Sequence, residues 1–389
     1  MYMKRIAFSV LFFIFFVVSP IKMWGQAPYT TKSYIKIKDK AIFLNVGQSD
    51  SVFCISDLID SHSTLLWRSL MPQVASVDAN GIVTAKRYGR THIIAYTADN
   101  KVADTCIVVV NKCRTFLANG ICFNMIYVQG GTFWMGAQSE DEDGQNYNFY
   151  AEDDYERPVH RVTLSDYYIG ETEVTQALWE AVMQAKPTVC GERWCDEYGV
   201  GSELPAYFVS WNDCQDFIDR LNMLLEKQLK GHIFVLPSEA QWEFAARGGV
   251  YATMKNGQYC HSYSGCDNPK HVAWFGNGKG RSRAVKTKRP NELGLYDMSG
   301  NVDEWCADMI NMYVRKYESD QHVTNPIGNV GFGRVRRGGN WYLGQQACRS
   351  TSRSLSVSPK ERHQLYGLRM ALVKRDKYYD KRNVRRKKK

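Results

Sequence analysis

The chain has 389 residues, long enough for two or three domains, and its 44% apolar content is sufficient for packed cores. Its net charge of +10 is mostly local, because residues 374–389 hold ten basic and two acidic residues, a net +8 that leaves only +2 for the remainder. The charge therefore does not predict a basic folded face for nucleic acid, and we expect the tail, 375–389, to be solvated and disordered.

The first 27 residues have the pattern of a secretory signal peptide. Two basic residues precede the apolar run 6–18, and the small residues Gly25 and Ala27 follow it. The run is shorter than the roughly 20 residues of a membrane span. We expect cleavage and an extracytoplasmic chain, periplasmic, cell-surface or secreted, with no transmembrane segment after cleavage. An uncleaved N-terminal anchor is the alternative.

Residues 30–111 alternate short apolar runs with turn signals, a spacing typical of an all-β sandwich. The predicted strands are 34–37, 41–46, 51–55, 82–85, 91–96 and 105–110. The stretch WRSLMPQVASVDANGIVTAK, residues 67–86, resembles bacterial immunoglobulin-like domains of group 2. That resemblance implies a spacer or adhesive unit, and we favour a rigid stalk over a dedicated binding site.

Eleven cysteines in a chain expected to be exported predict some disulfides. The candidate pairs are Cys190 with Cys195, Cys260 with Cys266, Cys113 with Cys122, and Cys54 with Cys106. The odd total leaves at least one thiol free or intermolecular. A structural zinc site is not expected, since the sequence has no Cys-x-x-Cys or His-x-x-x-His spacing.

Three helices are predicted from capping residues and apolar periodicity. Thr175 can cap a helix that runs to about Gln184, and Ser210 can cap a longer one. Ser238 and Gln241 form a capping box. An acidic, aromatic loop, 140–156, is predicted to be a surface insertion, with cation binding as the alternative. Elsewhere the chain is rich in Gly, Asn, Trp and Tyr, which predicts much irregular backbone.

Ordered motifs from residue 125 onward carry a family resemblance. They are MIYVQGGTFWMG at 125–136, ETEVTQ at 171–176, LPSEAQWEFAARGG at 236–249, NELGLYDMSGNVDEW at 291–305, RGGNW at 337–341, CRSTSR at 348–353 and GLR at 367–369. Residues 120–374 thus resemble the formylglycine-generating enzyme, or sulfatase-modifying factor, family. The resemblance implies an α+β fold, related to C-type lectin-like domains, with little regular secondary structure.

The resemblance also implies a calcium site. In the family, the segment matching 297–304 binds calcium through a side chain at the position of Asp297, carbonyls at Gly300 and Val302, and a carboxylate at Glu304. All four positions here are compatible, because calcium takes oxygen ligands. The alternative is a hydrogen-bonded turn in which Glu304 caps backbone amides.

Copper is not expected. The family's enzymes bind copper(I) with two cysteines five residues apart after the Gly-Gly pair, since a soft ion takes soft sulfur ligands. Counting forward from Gly338 places Leu343 at the first position and Cys348 at the second, and counting backward from Arg353 places Cys348 at neither. Both counts break the pair. We interpret Cys348 as a buried thiol or a disulfide partner, of Cys306 for example, with a catalytic role as the weaker alternative.

A recognition pocket is predicted near the same segment, because irregular loops on a stable frame are the usual place for binding. Asp303 stands where the family usually has tryptophan beside the substrate groove, which would change the size and charge of the pocket. The other predicted lining residues are Trp341, Tyr342, Gln345, Gln346 and Arg353.

Together these features predict an exported, non-catalytic binding or scaffold protein. Its expected partner is an exported protein or a glycan, with contact to an anionic surface through the tail and no nucleic acid. The alternatives are a formylglycine-generating oxidase that acts on a cysteine of exported sulfatases, and a calcium-dependent glycan-binding surface protein.

Overall fold

The computed structural model describes residues 33–57, 65–151, 156–187, 194–252, 254–255, 258–259, 261–276, 278–310 and 322–375. The predicted signal peptide, the tail beyond residue 375, and Cys190 and Cys260 lie outside these residues. Within them, no helix combines the length and the apolar character needed to cross a membrane.

The N-terminal unit is built from short strands around one apolar core. Its strands are β1 (Tyr34–Ile37), β2 (Ala41–Asn45), β3 (Ser49–Ser51), β4 (Cys54–Asp57), β5 (Leu65–Ser69), β6 (Ala75–Val77), β7 (Ile82–Ala85), β8 (Gly89–Thr97) and β9 (Ala103–Asn111). They form a sheet in the order β2-β9-β8-β5, a sheet in the order β3-β7-β6, and the pair β1-β4. Alternate residues such as Ile93, Ala95 and Val108 are fully buried between them, as expected for half-buried strands.

Most strand predictions are confirmed here, and one is wrong in detail. β1 and β7 have the predicted bounds, whereas the predicted strand 51–55 is divided between β3 and β4. β5 and β6 were not predicted. The break falls at Val52, whose amide donates to the carbonyl of Gly81 across the turn, 2.9 Å away.

The second unit contains sixteen described strands and five described short helices. The strands are β10 (Cys113–Ala118), β11 (Ile121–Val128), β12 (Gly131–Met135), β13 (His160–Leu164), β14 (Tyr167–Gly170), β15 (His232–Val235), β16 (Met254–Lys255), β17 (Gln258–Tyr259), β18 (Ala273–Trp274), β19 (Ser299–Gly300), β20 (Asp303–Ile310), β21 (His322–Thr324), β22 (Gly333–Arg337), β23 (Arg353–Val357), β24 (Tyr366–Gly367) and β25 (Ala371–Lys374). The helices are α1 (Gln176–Met183), α2 (Trp211–Leu224), α3 (Glu226–Leu229), α4 (Glu239–Ala246) and α5 (Pro269–Val272).

Two sheets position the sequence motifs of this unit. One has the strand order β10-β11-β14-β25-β15, and the other has the order β23-β22-β20-β24. β10 begins at Cys113 and forms the edge of the first of these sheets. The two larger cores lie around α2 and α4, with Phe217 and Trp242 fully buried in them. The fold is therefore mixed and sheet-rich with few helices.

The three predicted helices are confirmed with their caps. Thr175, Ser210 and Ser238 are the N-caps of α1, α2 and α4, and the last two form capping boxes. Gly248 follows α4 with φ +93°, the left-handed conformation that suits the end of a helix.

The predicted disulfides that can be examined are not formed. The thiols of Cys54 and Cys106, and those of Cys113 and Cys122, are free. In the β10-β11 hairpin, Cys113 pairs with Ile126 while Cys122 pairs with Leu117. The two cysteines are thus separated by four residues along the ladder, about 13 Å, which is beyond the reach of a disulfide. Closeness in sequence was misleading because the hairpin places them at opposite ends.

Candidate functional site

The candidate site is built on the segment between β22 and β23. Gly338 and Gly339 turn the chain sharply, with φ values of +99° and +69°. A Cβ at residue 339 would lie 2.5 Å from the carbonyl oxygen of Ala347, so only glycine fits there. The amide of Gly300 donates to the carbonyl of Gly338 at 2.8 Å, which holds this turn against the predicted calcium segment.

Neither Leu343 nor Cys348, the two residues that the forward count places at the family's cysteine positions, presents a reactive sulfur. Leu343 is 39% exposed, whereas Cys348 is fully buried in a small cluster with Tyr263 and Val272. Burial raises the pKa of the Cys348 thiol to about 12, so the sulfur is protonated at neutral pH. Cys266 packs on the edge of this cluster and is also a free thiol.

The suggested partner of Cys348, Cys306, is not bonded to it. Both thiols are free and buried, but Cys306 belongs to the core around α4 while Cys348 belongs to the separate small cluster. The interpretation of Cys348 as a buried thiol is confirmed, and the Cys306 pairing is wrong in this structure.

Asp303 forms an ion pair with Arg336 in the protein interior. It is 1% exposed, and its Oδ2 accepts hydrogen bonds from Arg336 at 2.6 Å and from Asn340 at 3.2 Å. Its Oδ1 accepts from Ser354 at 2.7 Å. The carboxylate is therefore neutralised by a partner that the sequence analysis did not assign, and it does not add a free negative charge to a pocket wall.

The other predicted pocket residues differ in the exposure of their side chains. Trp341 is buried and stacks on Tyr198, with ring centroids 6.1 Å apart. Arg353 is bound to Glu239. By contrast, Tyr342 is 44% exposed, and Gln345 is exposed beside it while Gln346 is half-buried.

Four buried side-chain atoms of this segment have no hydrogen-bond partner among the described residues: Trp341 Nε1, Gln346 Oε1, Arg349 Nε and Ser350 Oγ. The first two lie on either side of the exposed Tyr342 and Gln345 in the sequence. Buried polar groups are normally paired, so an unpaired donor and acceptor in one segment indicate a place for water or a ligand. The recognition surface suggested by these atoms is centred on Tyr342, Gln345 and Gln346.

The predicted calcium segment, 297–304, contains one available carboxylate oxygen, on Asp297, whereas the carboxylates of Asp303 and Glu304 are occupied. Asp297 is 3% exposed, its Oδ2 accepts from the amide of Lys286 at 2.8 Å, and its Oδ1 has no partner among the described residues. Burial is the main reason that the pKa of Asp297 is raised to about 6. A free, buried carboxylate oxygen fits an ion ligand.

Glu304 is held differently, and it does not cap backbone amides. Arg369 donates Nε and Nη2 to it at 2.7–2.9 Å, and Trp242 donates Nε1 at 2.6 Å. These contacts use the four acceptor positions of the carboxylate. No three His, Cys, Asp or Glu side chains of the described residues converge in a way that could hold a metal. A calcium ion here would depend on Asp297 and carbonyl oxygens, and Glu304 would join only if Arg369 released an oxygen.

The sequence analysis missed the acidic partners of the buried arginines. Glu156 binds Arg349, and Glu243 binds both Arg337 and Arg247. Burial alone would raise the pKa of Glu243, but the two arginines outweigh it and the pKa is lowered. Arg349 and Arg369 each connect separate loops through several donors, as a buried guanidinium can.

Comparison with known proteins assigns most of this chain to a family. The sequence profile described as the Sulfatase-modifying factor enzyme 1-like domain matches residues 117–374, about two thirds of the chain. The chain belongs to this family.

Its relatives in the sulfatase-modifying factor family carry different names. The chain is 27% identical over 269 residues to the chaperone protein LppX of Paenibacillus barcinonensis, covering 60% of this chain and 83% of the relative. It is 28% identical over 275 residues to the formylglycine-generating enzyme of Streptomyces coelicolor, covering 57% and 80%. Among solved structures, Treponema denticola variable protein 1 superposes with a TM-score of 0.54 at 27% identity, covering 68% of this chain and 99% of that one.

Membership of the sulfatase-modifying factor family therefore accounts for the fold of residues 117–374. In this domain Leu343 is 39% exposed, and Cys348 is buried with its thiol protonated at neutral pH.

Proposed function

We propose that this chain is an exported, non-catalytic binding or scaffold protein. The observation that supports the proposal is the exposed Leu343, the residue that the forward count from Gly338 places at the family's first cysteine position. Linear copper(I) coordination needs two thiolates, and a leucine side chain supplies none. Cys348 cannot replace it alone, because it is buried and protonated.

The binding role is supported by the surface next to this position. Tyr342 and Gln345 are exposed on a segment whose backbone is fixed by the glycine turn and by two bonds to residues 276–278. A rigid loop presenting an aromatic ring and amide groups has little conformational entropy to lose on binding. The relatives named as a chaperone and as a variable protein are consistent with a non-oxidative use of the fold.

The rest of the chain fits this role as part of the same proposal. The N-terminal strands would act as an immunoglobulin-like spacer, the signal sequence would export the protein, and the tail would contact an anionic surface. Calcium, if bound at Asp297, would stabilise the turn beneath the binding segment. The partner would be an exported protein or a glycan.

A glycan array and a panel of exported proteins from the same cell would test the binding role. We expect retention that is lost in Tyr342→Ala/Gln345→Ala. The matched control is Tyr88→Ala/Gln73→Ala, which removes the same residue types from exposed positions of the N-terminal unit. Equal loss in both variants, or unchanged binding in the first, would contradict the proposed surface.

A further inference from the structure

A cluster of exposed cations lies beside the candidate binding segment. Residues 270–289 contain seven Lys or Arg residues and no Asp or Glu. Lys286 is paired with Glu171 at 2.9 Å. The remaining six, which we call the cationic strip, form no ion pair with any described residue. They are Lys270, Lys279, Arg281, Arg283, Lys288 and Arg289.

Backbone and side-chain contacts join the strip into one surface. Lys288 Nζ donates to the carbonyl of Lys270 at 2.6 Å and lies 3.9 Å from the centroid of the Trp274 ring. Arg283 lies 5.3 Å from the same centroid. The amide of Arg289 donates to the carbonyl of His271 at 3.0 Å. Two of the cations, Lys288 and Arg283, therefore lie against the half-buried Trp274.

The other end of the strip reaches the binding segment. The amides of Gly276 and Gly278 donate to the carbonyls of Leu343 and Tyr342, at 3.0 and 2.8 Å. Lys279 follows directly and is exposed. The cationic strip and the exposed Tyr342 are thus parts of one continuous face.

Unpaired cations gathered in this way repel each other within a Debye length of about 8–10 Å. The repulsion opposes folding, and the described acid Asp297 offsets part of it at Lys288. An anionic ligand would offset the remainder, and several charges acting together would steer and retain such a ligand. The strip has cations both at Trp274, where Arg283 and Lys288 lie, and at Lys279 next to the Gly278–Tyr342 contact, which suits a chain of repeated anions better than a single small anion.

We infer that this face binds an anionic polysaccharide, a glycan chain bearing carboxylate or sulfate groups. Arg and Lys of the strip would pair with its anions, and the rings of Tyr342 and Trp274 would lie against the sugar faces. The inference rests on the proposed binding function and names the ligand class of the same surface. An acidic lipid surface fits less well, because the fully exposed side chains of 270–289 include no large apolar group to enter a bilayer.

The test is retention of the full chain on immobilised sulfated polysaccharide and polygalacturonate. Neutral dextran, phosphatidylglycerol vesicles and duplex DNA serve as the other surfaces. The strip variant is Lys279→Ala/Arg281→Ala/Arg289→Ala. The control is Lys86→Ala/Arg87→Ala/Lys227→Ala, which removes three exposed charges elsewhere. The basic tail is present in both variants, so it contributes equally.

We expect the strip variant to bind the anionic polysaccharides at least about tenfold more weakly than the control, since three modest charge contacts multiply. Unchanged binding in the strip variant, equal loss in both variants, or tighter binding to vesicles or DNA would overturn the inference. Retention of a neutral glycan or a protein through Tyr342, without any polyanion binding, would overturn the inference and leave the proposed function standing. Absence of binding to either anionic polysaccharide would overturn the inference, whereas the proposed function fails only if the glycan array and the exported proteins also show no retention.

Discussion

Arg349 and Glu156, 193 positions apart in the chain, form a two-pronged ion pair in the interior. Nη1 lies 2.9 Å from Oε2 and Nη2 lies 2.6 Å from Oε1, and both side chains are 1% exposed. Paired hydrogen bonds between a guanidinium and a carboxylate are among the strongest in proteins. This pair fixes the end of the acidic loop against the residue that follows Cys348.

Replacing Arg349 by alanine should therefore destabilise the fold strongly. The substitution removes the two-pronged partner of the buried Glu156, and breaking a buried ion pair in this way typically costs about 3–5 kcal/mol. Arg349→Lys should give a smaller loss, because it keeps the charge but not the fork geometry. Urea unfolding measures both, with the exposed Arg87→Ala as control. A free energy of unfolding for Arg349→Ala within about 1 kcal/mol of the parent would contradict this role.

Glu243 should make the fold sensitive to acid. Its folded pKa lies below the ordinary value of 4.5, because Arg247 and Arg337 outweigh the effect of burial. Its stabilisation is thus present above about pH 4.5 and is lost as the pH falls through the lower folded pKa. Glu243→Gln should lower stability at pH 7 and flatten the change between pH 5 and pH 3.

The melting temperature as a function of pH measures this, with the exposed Glu197→Gln as control. If Glu243→Gln and the parent lose stability in parallel below pH 5, the assignment to Glu243 is wrong.

Calcium should stabilise the chain through Asp297. The folded pKa of Asp297 is raised to about 6 from 3.8, chiefly by burial. Protonation therefore stabilises the fold fully below about pH 3.8, and this contribution is lost as the pH rises through about 6. At pH 7.5 a calcium ion could replace the proton, so the melting temperature should rise with millimolar calcium at pH 7.5 and much less at pH 5.

Two variants distinguish stabilisation by a calcium ion from stabilisation by the hydrogen bonds of the 297–304 turn. Asp297→Ala should abolish the calcium effect. Glu304→Ala should lower stability with or without calcium, because it frees Arg369 and Trp242 from their shared acceptor. Identical melting temperatures in calcium and in chelator at pH 7.5 would show that the chain does not bind calcium at Asp297.

The thiols should react in an order set by burial. Cys122 is exposed, whereas Cys348 is fully buried with a pKa near 12. Only the thiolate is nucleophilic, so an alkylating reagent should label Cys122 in the native protein and Cys348 only after unfolding. Mass spectrometry of timed digests locates the label. Native labelling of Cys348 as fast as that of Cys122 would show that its sulfur is accessible.

The features that were predictable from sequence are local ones. Thr175, Ser210 and Ser238 identify their helices because a cap and the turn it begins are adjacent in the chain. The partners of the buried charges were not predictable in this way. Arg336 and Asp303 are 33 positions apart, and nothing near either residue specifies the other.

Two further features of the structure differ from what the sequence suggested. The balanced charge outside the tail suggested no basic face, yet residues 270–289 carry their cations without any acid. The spacing of Cys113 and Cys122 suggested a disulfide, yet the hairpin register separates them. Register and surface position depend on the folded chain.

The most direct test is aldehyde formation on a Cys-x-Pro-x-Arg peptide, with copper(I) and oxygen supplied and bound copper measured in the same sample. We expect no aldehyde and no stoichiometric copper, since Leu343 offers no sulfur and Cys348 is buried. Turnover with one copper per chain, abolished by Cys348→Ala, would show that the family's oxidation chemistry survives here and would contradict a purely binding role.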